Sequence, residues 1–423
     1  MRILVIGRGG REHAIVWALK RHDRDNTRRI YCAPGNAGIA QLAETVDIGE
    51  LEFDRLVEFA REKAIDLVVV GPDDPLAAGI VDALEAGGLR VYGPRRNAAE
   101  IEGSKIFMKN LLHKHGIPTA KYETFTDYES AKAYLDAQPV PIVIKADGLA
   151  AGKGVTVCFN REEADAALRE TMLSKAFGAA GDKVVIEEFL EGQEMSILAF
   201  VDGETVRPMP AAQDHKPVYD GDKGPNTGGM GTYSPLPHIP PSIIDVAIET
   251  IVRPTARALV AEGRPFRGVL FAGLMITKDG PKTIEFNARF GDPETQVVLP
   301  RLQTDLLDIF LASLDGRLND IEISWSDEAA VCVILASGGY PGAYPKGLPI
   351  EGLESVADQD ALVFHAGTAL KEGRFVTNGG RVLGVVGRGR GIAEARDRAY
   401  AAADRIRFEG KINRTDIAAK ALV

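Results

Sequence analysis

The chain is poor in the residues that build disulfide frameworks and metal clusters. Of its 423 residues three are cysteines, Cys32, Cys158 and Cys332, and seven are histidines. The cysteines lie far apart without CxxC spacing, so neither a disulfide scaffold nor a zinc site is expected, and a reducing cytoplasm suits them. Cys158 and Cys332 stand in apolar strand-like runs and read as small buried hydrophobes. Excess positive charge is also missing. Fifty Lys and Arg against 60 Asp and Glu leave a formal net charge of −10, which excludes a basic stripe able to neutralise a nucleic-acid backbone. Small anionic ligands stay open, because a local site can be basic on an acidic protein. No apolar run reaches the roughly 18 residues of a membrane helix. The first residues enter a strand directly, so neither a membrane partner nor a signal peptide is expected. There are no internal repeats.

What is present is a composition 45% hydrophobic and 26% charged, typical of a soluble protein with a large core, at a length that suggests about three domains. Residues 2–6 form a short apolar run ending in Gly7-Arg8-Gly9-Gly10, and helical spacing follows from Arg11. Strand, glycine turn and helix open a doubly wound parallel sheet, in which Gly9 and Gly10 would let an anion approach the helix. A tight turn without ligand has the same sequence. A dinucleotide fingerprint is not met, since its third glycine would fall at Glu12 and no ribose-binding acid ends the next strand. Further strands are expected at 29–33, 65–70 and 90–92, with helices at 53–63 and 77–86, closing a first domain at residue 102.

A helix from 103 toward Gly116 leads to a second domain, 103–325, with a lid subdomain at about 122–191. Ile142-Val143-Ile144-Lys145 runs into the loop Ala146-Asp147-Gly148-Leu149-Ala150-Ala151-Gly152-Lys153-Gly154, and a second strand follows. This is not a Walker A loop. It reads as a hairpin lid whose glycines Gly148, Gly152 and Gly154 fold over phosphates, with Lys145 and Lys153 as point charges; an ordinary surface hairpin is the plain alternative. The apolar strand at 184–186 enters Glu187-Glu188-Phe189-Leu190, a hinge whose backbone can pair with a purine edge while a nearby carboxylate holds ribose. Residues 211–235 read as a long loop without regular structure, and such loops usually bind something. His215 lies there with no second ligand at zinc spacing. A long helix is expected at 242–262 and strands at 268–277 and 283–289. In Thr283-Ile284-Glu285-Phe286-Asn287-Ala288-Arg289 the alternation of a strand points Glu285, Asn287 and Arg289 one way. A carboxylate, an amide oxygen and a guanidinium suit a hard cation beside a phosphate, or else form a solvated strand face. A third domain, 326–423, shows strands, a final helix at about 392–408 and no acid or base constellation, which makes it a wall of a site.

The order of glycine hairpin, Glu-Glu-Phe-Leu hinge and Glu-Phe-Asn-x-Arg resembles the ATP-grasp ligases. More narrowly, the stretches GGREHA, APGNAG, EGSK, IVIKADGLAAGKGV, IEEFLEG, QDHK, GPNTGGMG, IEFNARFGDPETQ, GGYPG, HAGT and VTNGGRVL resemble the glycinamide ribonucleotide synthetase family from end to end. The fold this implies is an α/β N-terminal doubly wound parallel-sheet domain, a central α+β ATP-grasp domain with a small lid, and a C-terminal mixed α/β domain. The implied reaction joins glycine to 5-phosphoribosylamine with ATP, through glycyl phosphate, in de novo purine biosynthesis. Carried over by position, Glu285 and Asn287 would hold Mg²⁺ or Mn²⁺, and Arg289 and Lys145 would be the catalytic charges. Lys105, Lys145, Gly148, Gly152, Lys153 and Gly154 would enclose the ATP phosphates, Glu187 and Leu190 would meet adenine, and Glu194 the ribose. Asp214, Lys216, Asn226, Thr227, Gly228, Gly229, Asp292 and Thr295 would line the pocket for glycine and phosphoribosylamine, with Gly9 and Gly10 near the ribose phosphate.

The chain departs from the family pattern at Arg8, where Asn is frequent, at Asp73, where Glu is usual, and in residues 268–277, which carry no second metal carboxylate. A cytoplasmic, monofunctional monomer is expected. The rival readings are another ATP-grasp carboxylate–amine ligase or carboxylase, and a catalytically silent nucleotide sensor on the same fold.

Overall fold

The computed structural model describes residues 1–149, 154–174, 176–356 and 361–422. Arg2–Gly7 is the central strand of a five-stranded parallel sheet, flanked by Arg29–Pro34 and Leu67–Val70, with Glu44–Thr45 and Val91–Tyr92 at the edges. Ile3, Leu4, Val5 and Ile6 are fully buried; a parallel sheet covered on both faces requires apolar residues at consecutive positions, not at alternate ones. The helix expected at 77–86 is two pieces, Asp73–Ala78 and Ile80–Ala86, parted at Gly79 with φ +94°.

The lid is an antiparallel sheet in the order Tyr122–Phe125, Val184–Glu188, Ile142–Ala146, Val155–Cys158. Its apolar face, Ile142, Ile144, Cys158, Val184 and Ile186, packs on Leu135 and Leu168 of the helices Tyr128–Asp136 and Arg161–Met172. A second antiparallel sheet, Thr205–Pro208, Gln193–Asp202, Arg267–Thr277 and Gly280–Asn287, forms the floor opposite it. Parallel N-terminal and antiparallel central sheets together make the mixed α/β architecture expected.

Two elements differ from the pattern-based reading. The helix at 242–262 is interrupted: Pro241–Ala247 passes through a π-helical turn, Ile248–Val252, into Arg253–Ala261. Pro254 has no N–H to give the preceding turn, and the Arg253 amide reaches back to Ile248 O instead. Residues 211–235 also contain short strands. Gln213–Asp214 pairs with Gly231–Ser234, which adds to Ala329–Ala336 and, through it, to Arg381–Gly389 and Ala361–His365. The final helix, Ile392–Ala403, stops short of residue 408, because Arg407 leaves it to exchange backbone hydrogen bonds with Glu351, each 2.9 Å.

Candidate active site

In the lid strand Ile142–Ala146 the isoleucines face the helices, so Val143 and Lys145 point the other way. Val143 stands opposite Val157 and Glu187, and Lys145 opposite Val155. All five line a cavity of about 320 Å³ between lid and floor. Phe189, Leu190 and Met275 extend its apolar lining, and Glu194 lies beside Met275 in the floor sheet. A flat apolar base with a carboxylate near its sugar fits such a wall.

Lys105 is the first residue of the helix Lys105–Lys114, capped by Ser104. Asp147 accepts from the Ile106 amide at 3.1 Å and from the Ser104 hydroxyl at 3.1 Å. A carboxylate at a helix N-terminus is favourable, and here it ties the start of the glycine loop to the helix. Lys105 Nζ then donates to Gly148 O at 2.8 Å; burial draws its pKa below the usual lysine range.

On the floor, Glu285, Asn287 and Arg289 all line the cavity. The strand ends at Asn287, so Arg289 reaches the site from the bend beyond it, not from strand alternation. Glu102 holds that bend: Glu102 Oε2 accepts from the Ala288 amide at 2.7 Å, and Oε1 pairs with Arg289 at 2.9 Å. Arg289 Nε is buried with no hydrogen-bond partner among the described residues. Glu285 is opposite Gly273, where a Cβ would lie 3.2 Å from Glu285 Cγ. The adjoining strand thus leaves space for the Glu285 side chain and supplies no second carboxylate. Lys216 Nζ, 3.4 Å from Glu285 Oε1, drives the Glu285 pKa down to about 2, helped by Lys145 and Lys105 against burial.

Asp214, Asn226, Thr227, Gly228 and Asp292 line the opposite side. Arg381, from the C-terminal part of the chain, donates to Gly228 O at 2.7 Å and pairs with Asp292 at 3.1 Å. Burial would raise the Asp292 carboxyl, but Arg381 and Arg11 hold it below the usual range. Burial and Glu294 push Asp214 well above it, and burial raises Glu294 as well. Sequence reasoning does not single out Glu102, Glu294 or Arg381. Each lies inside a stretch that carries the resemblance, yet its partner is remote in the chain and no local spacing announces it.

Five of the expected positions are described and do not line this cavity. Thr295 is fully buried and its hydroxyl donates to Gly291 O at 2.6 Å, so it closes a turn. Gly229 packs against Asp214: a Cβ added there would lie 2.7 Å from Asp214 Oδ1, and the Gly229 amide donates to Thr227 Oγ1. Gly9 and Gly10 lie behind Asp292 and Gln296, and the Gly9 amide is already committed to Glu12 Oε2 at 2.6 Å. Gly9 therefore offers close approach and not its N–H. The fifth is Gly154, whose carbonyl accepts from the Ala146 amide at 2.8 Å. Gly152 and Lys153 lie outside the described residues.

Three lysines and an arginine face one cavity with two oxygen ligands, an arrangement suited to polyphosphate. Glu285 and Asn287 fit a hard divalent cation, since both offer oxygen and the carboxylate is ionised. Among the described residues no group of three or more His, Cys, Asp or Glu side chains could hold a metal, so such an ion would complete its shell with water and phosphate. No helix among them is long and apolar enough to cross a membrane.

Three family descriptions match the chain in order: the N domain of phosphoribosylglycinamide synthetase over residues 1–102, its ATP-grasp (A) domain over 103–295 and its C domain over 330–420. A phosphoribosylamine–glycine ligase of Halalkalibacterium halodurans is 53% identical over 100% of this chain and 97% of its own length. One from Caldanaerobacter subterraneus subsp. tengcongensis is 52% identical, covering 99% and 100%. Among solved structures, the phosphoribosylamine–glycine ligase of Thermotoga maritima superposes with a TM-score of 0.86 at 35% identity, covering 99% of this chain and 100% of that one. The biotin carboxylase domain of Hydrogenobacter thermophilus 2-oxoglutarate carboxylase, solved with MgADP, shares the fold at TM-score 0.73 and 18% identity, covering 97% and 91%.

Proposed function

The chain belongs to the phosphoribosylglycinamide synthetase family, and from that membership we propose how its site joins glycine to 5-phosphoribosylamine at the expense of ATP. It is an ATP-dependent carbon–nitrogen ligase of purine biosynthesis. The observation that carries the reading is the convergence of Lys105, Lys145, Lys216 and Arg289 with Glu285 and Asn287 on one cavity.

A glycine carboxylate oxygen attacks the γ-phosphorus, ADP leaves, and glycyl phosphate forms. The amine of phosphoribosylamine then attacks the acyl carbon; phosphate departs and the nitrogen loses a proton. Neither step needs a protein nucleophile. Positioning and charge neutralisation are sufficient. Lys105 and Lys145 bind the ATP phosphates. Arg289, oriented by Glu102, lines the cavity and offers its guanidinium to the transferring phosphoryl group. Glu285 and Asn287 would hold Mg²⁺ or Mn²⁺, which when bound would offset phosphate charge. Leu190 and the backbone at Glu187 meet adenine, Glu194 the ribose, and Asp214, Asn226, Thr227, Gly228 and Asp292 the two smaller substrates. Three buried free cysteines suit a reducing cytoplasm.

The test is ADP formation by purified protein with ATP, Mg²⁺ and glycine, with and without freshly made phosphoribosylamine. Strict dependence on both, with glycinamide ribonucleotide as product, is expected. ADP released equally well with another acid or amine would make the chain a different ATP-grasp ligase, and nucleotide binding without turnover would make it a silent sensor.

A further inference from the structure

Behind the cavity stands a buried charge group that the reaction as described does not use. Lys109 lies on the same helix as Lys105 but does not line the cavity, and none of its surface is exposed. Its ammonium pairs with Glu187 Oε2, while Glu187 Oε1 pairs with Lys145. Lys109 Nζ also donates to Thr119 Oγ1 at 2.7 Å, and that hydroxyl donates to Thr283 O at 2.9 Å. The ring of Tyr122 lies 5.5 Å from the ammonium. Lys109 is therefore held in place, whereas Lys145 has, among the described residues, Glu187 and, at 3.2 Å, the carbonyl of Ile284.

We propose that Lys109 is a positioning residue that keeps Glu187 paired, so that Lys145 can turn from Glu187 to an ATP phosphate. A buried carboxylate stripped of its partner is strongly unfavourable. In a lone Lys145–Glu187 pair, a phosphate would compete with a carboxylate for one ammonium, and Lys145 could leave only by orphaning Glu187. Two lysines on one carboxylate remove that obstacle. The two lysines and one carboxylate carry a net positive charge, felt by Glu285 across the cavity, and the lysine facing the cavity is the one free to follow it toward an anion. A core ion pair serving stability alone would not need the second lysine.

This rests on the reading that Lys145 meets ATP phosphates, so the experiment separates the two. KM for ATP, glycine and phosphoribosylamine, MgADP affinity by calorimetry, and melting temperature are measured for Lys145→Met, Lys109→Met and the double variant Lys109→Met/Glu187→Gln. Losing a charged hydrogen bond to phosphate weakens binding by about tenfold or more, so Lys145→Met should raise KM for ATP by that factor. Lys109→Met should do the same although Lys145 is intact, with KM for glycine and phosphoribosylamine unmoved. The double variant leaves in place the Glu187 backbone that meets adenine, restores the charge balance, and should return KM for ATP and MgADP affinity most of the way to native. An unchanged KM for ATP in Lys145→Met overturns the placement of Lys145 and the proposal with it. A raised value there beside a native value in a folded Lys109→Met overturns the proposal alone. If Lys109→Met does not fold, the double variant decides: ATP binding as weak as in Lys145→Met also overturns it.

Discussion

Arg289 shows how one side chain divides its hydrogen bonds between fold and chemistry. Its Nη2 pairs with Glu102 and reaches Asn287 Oδ1 at 3.4 Å, its Nη1 donates to Phe290 O at 3.2 Å, and the residue still lines the cavity. A lysine cannot hold the bend and a phosphoryl group at once, because its charge is a point and not a fork. Arg289→Ala and Arg289→Lys should both lower kcat by about 10²–10³, the usual cost of losing one transition-state donor. Arg289→Ala also leaves buried Glu102 without its partner and should melt lower, whereas Arg289→Lys keeps a charge there and should melt nearer the native temperature. Steady-state kinetics with circular dichroism checks this; a mild loss at saturating substrate would remove Arg289 from the reacting atoms. Glu285→Ala should abolish turnover, and substantial residual activity would take Glu285 out of the metal site.

His13 is buried on the first helix. Its Nδ1 accepts the His365 amide at 2.8 Å, so the ring is neutral with its proton on Nε2. Burial, helped by the neighbouring His365, lowers the His13 pKa to about 3. The unfolded chain takes up a proton near pH ~6.5 where the folded chain does not. The contribution of His13 is thus complete above that pH and is lost as the pH falls toward the folded value. The melting temperature of the native protein minus that of His13→Gln should be smaller at about pH 5.5 than at about pH 7.5. Taking the difference cancels the buried carboxylates Asp214 and Glu294, whose raised pKa values act with the opposite sign. A difference independent of pH would mean that His13 takes up its proton in the folded chain as it does in the unfolded one.

At the scale of elements, the turn after the first strand is built around Glu12. Its carboxylate accepts from the Gly9 amide and from Arg11 Nε, and it fills the space beside Gly71 at the end of the strand Leu67–Val70. A Cβ on Gly71 would lie 2.1 Å from Glu12 Oε1, far inside contact distance. Gly71→Ala must therefore displace Glu12, and with it the turn beside Asp292. We expect KM for phosphoribosylamine to rise about tenfold, as for one lost charged contact, with KM for ATP native. Equal effects on both would place the disturbance outside this turn. The strands with Glu187, Lys145 and Glu285 are readable as elements because period-two alternation decides which side chains share a face. The π-helical turn before Arg253 is not: Pro254 sits within an apolar pattern that reads as one helix, and the pattern does not say how the chain absorbs a missing amide.

Over the whole molecule, the strand Gly231–Ser234 takes its hydrogen bonds from Ala329–Ala336, and Tyr233, Val331, Val333 and Val385 share one apolar core. A chain cut after residue 325 would expose that core and remove Arg381 from Asp292. It should lose cooperative melting and ADP formation together, as circular dichroism and the coupled assay would report; retention of either would make residues 1–325 an independent unit. The acidic surface and expected monomer predict a single-chain mass of 45.5 kDa by light scattering.

Local information in the sequence determined the parallel-sheet opening, the lid strands, the strand Val184–Glu188 and the polar face at Glu285 and Asn287. Each depends on periodicity or on glycine placed within a few residues. Tertiary structure alone decided that Arg289 is oriented by Glu102, that Arg381 braces the loop at Gly228 from the far end of the chain, and that Lys109 stands behind Glu187. It also decided that Thr295 is buried outside the cavity lining and that parts of the 211–235 segment become strand. The reason is physical: a buried charge or an edge amide must find a partner, and only the folded chain brings that partner within reach.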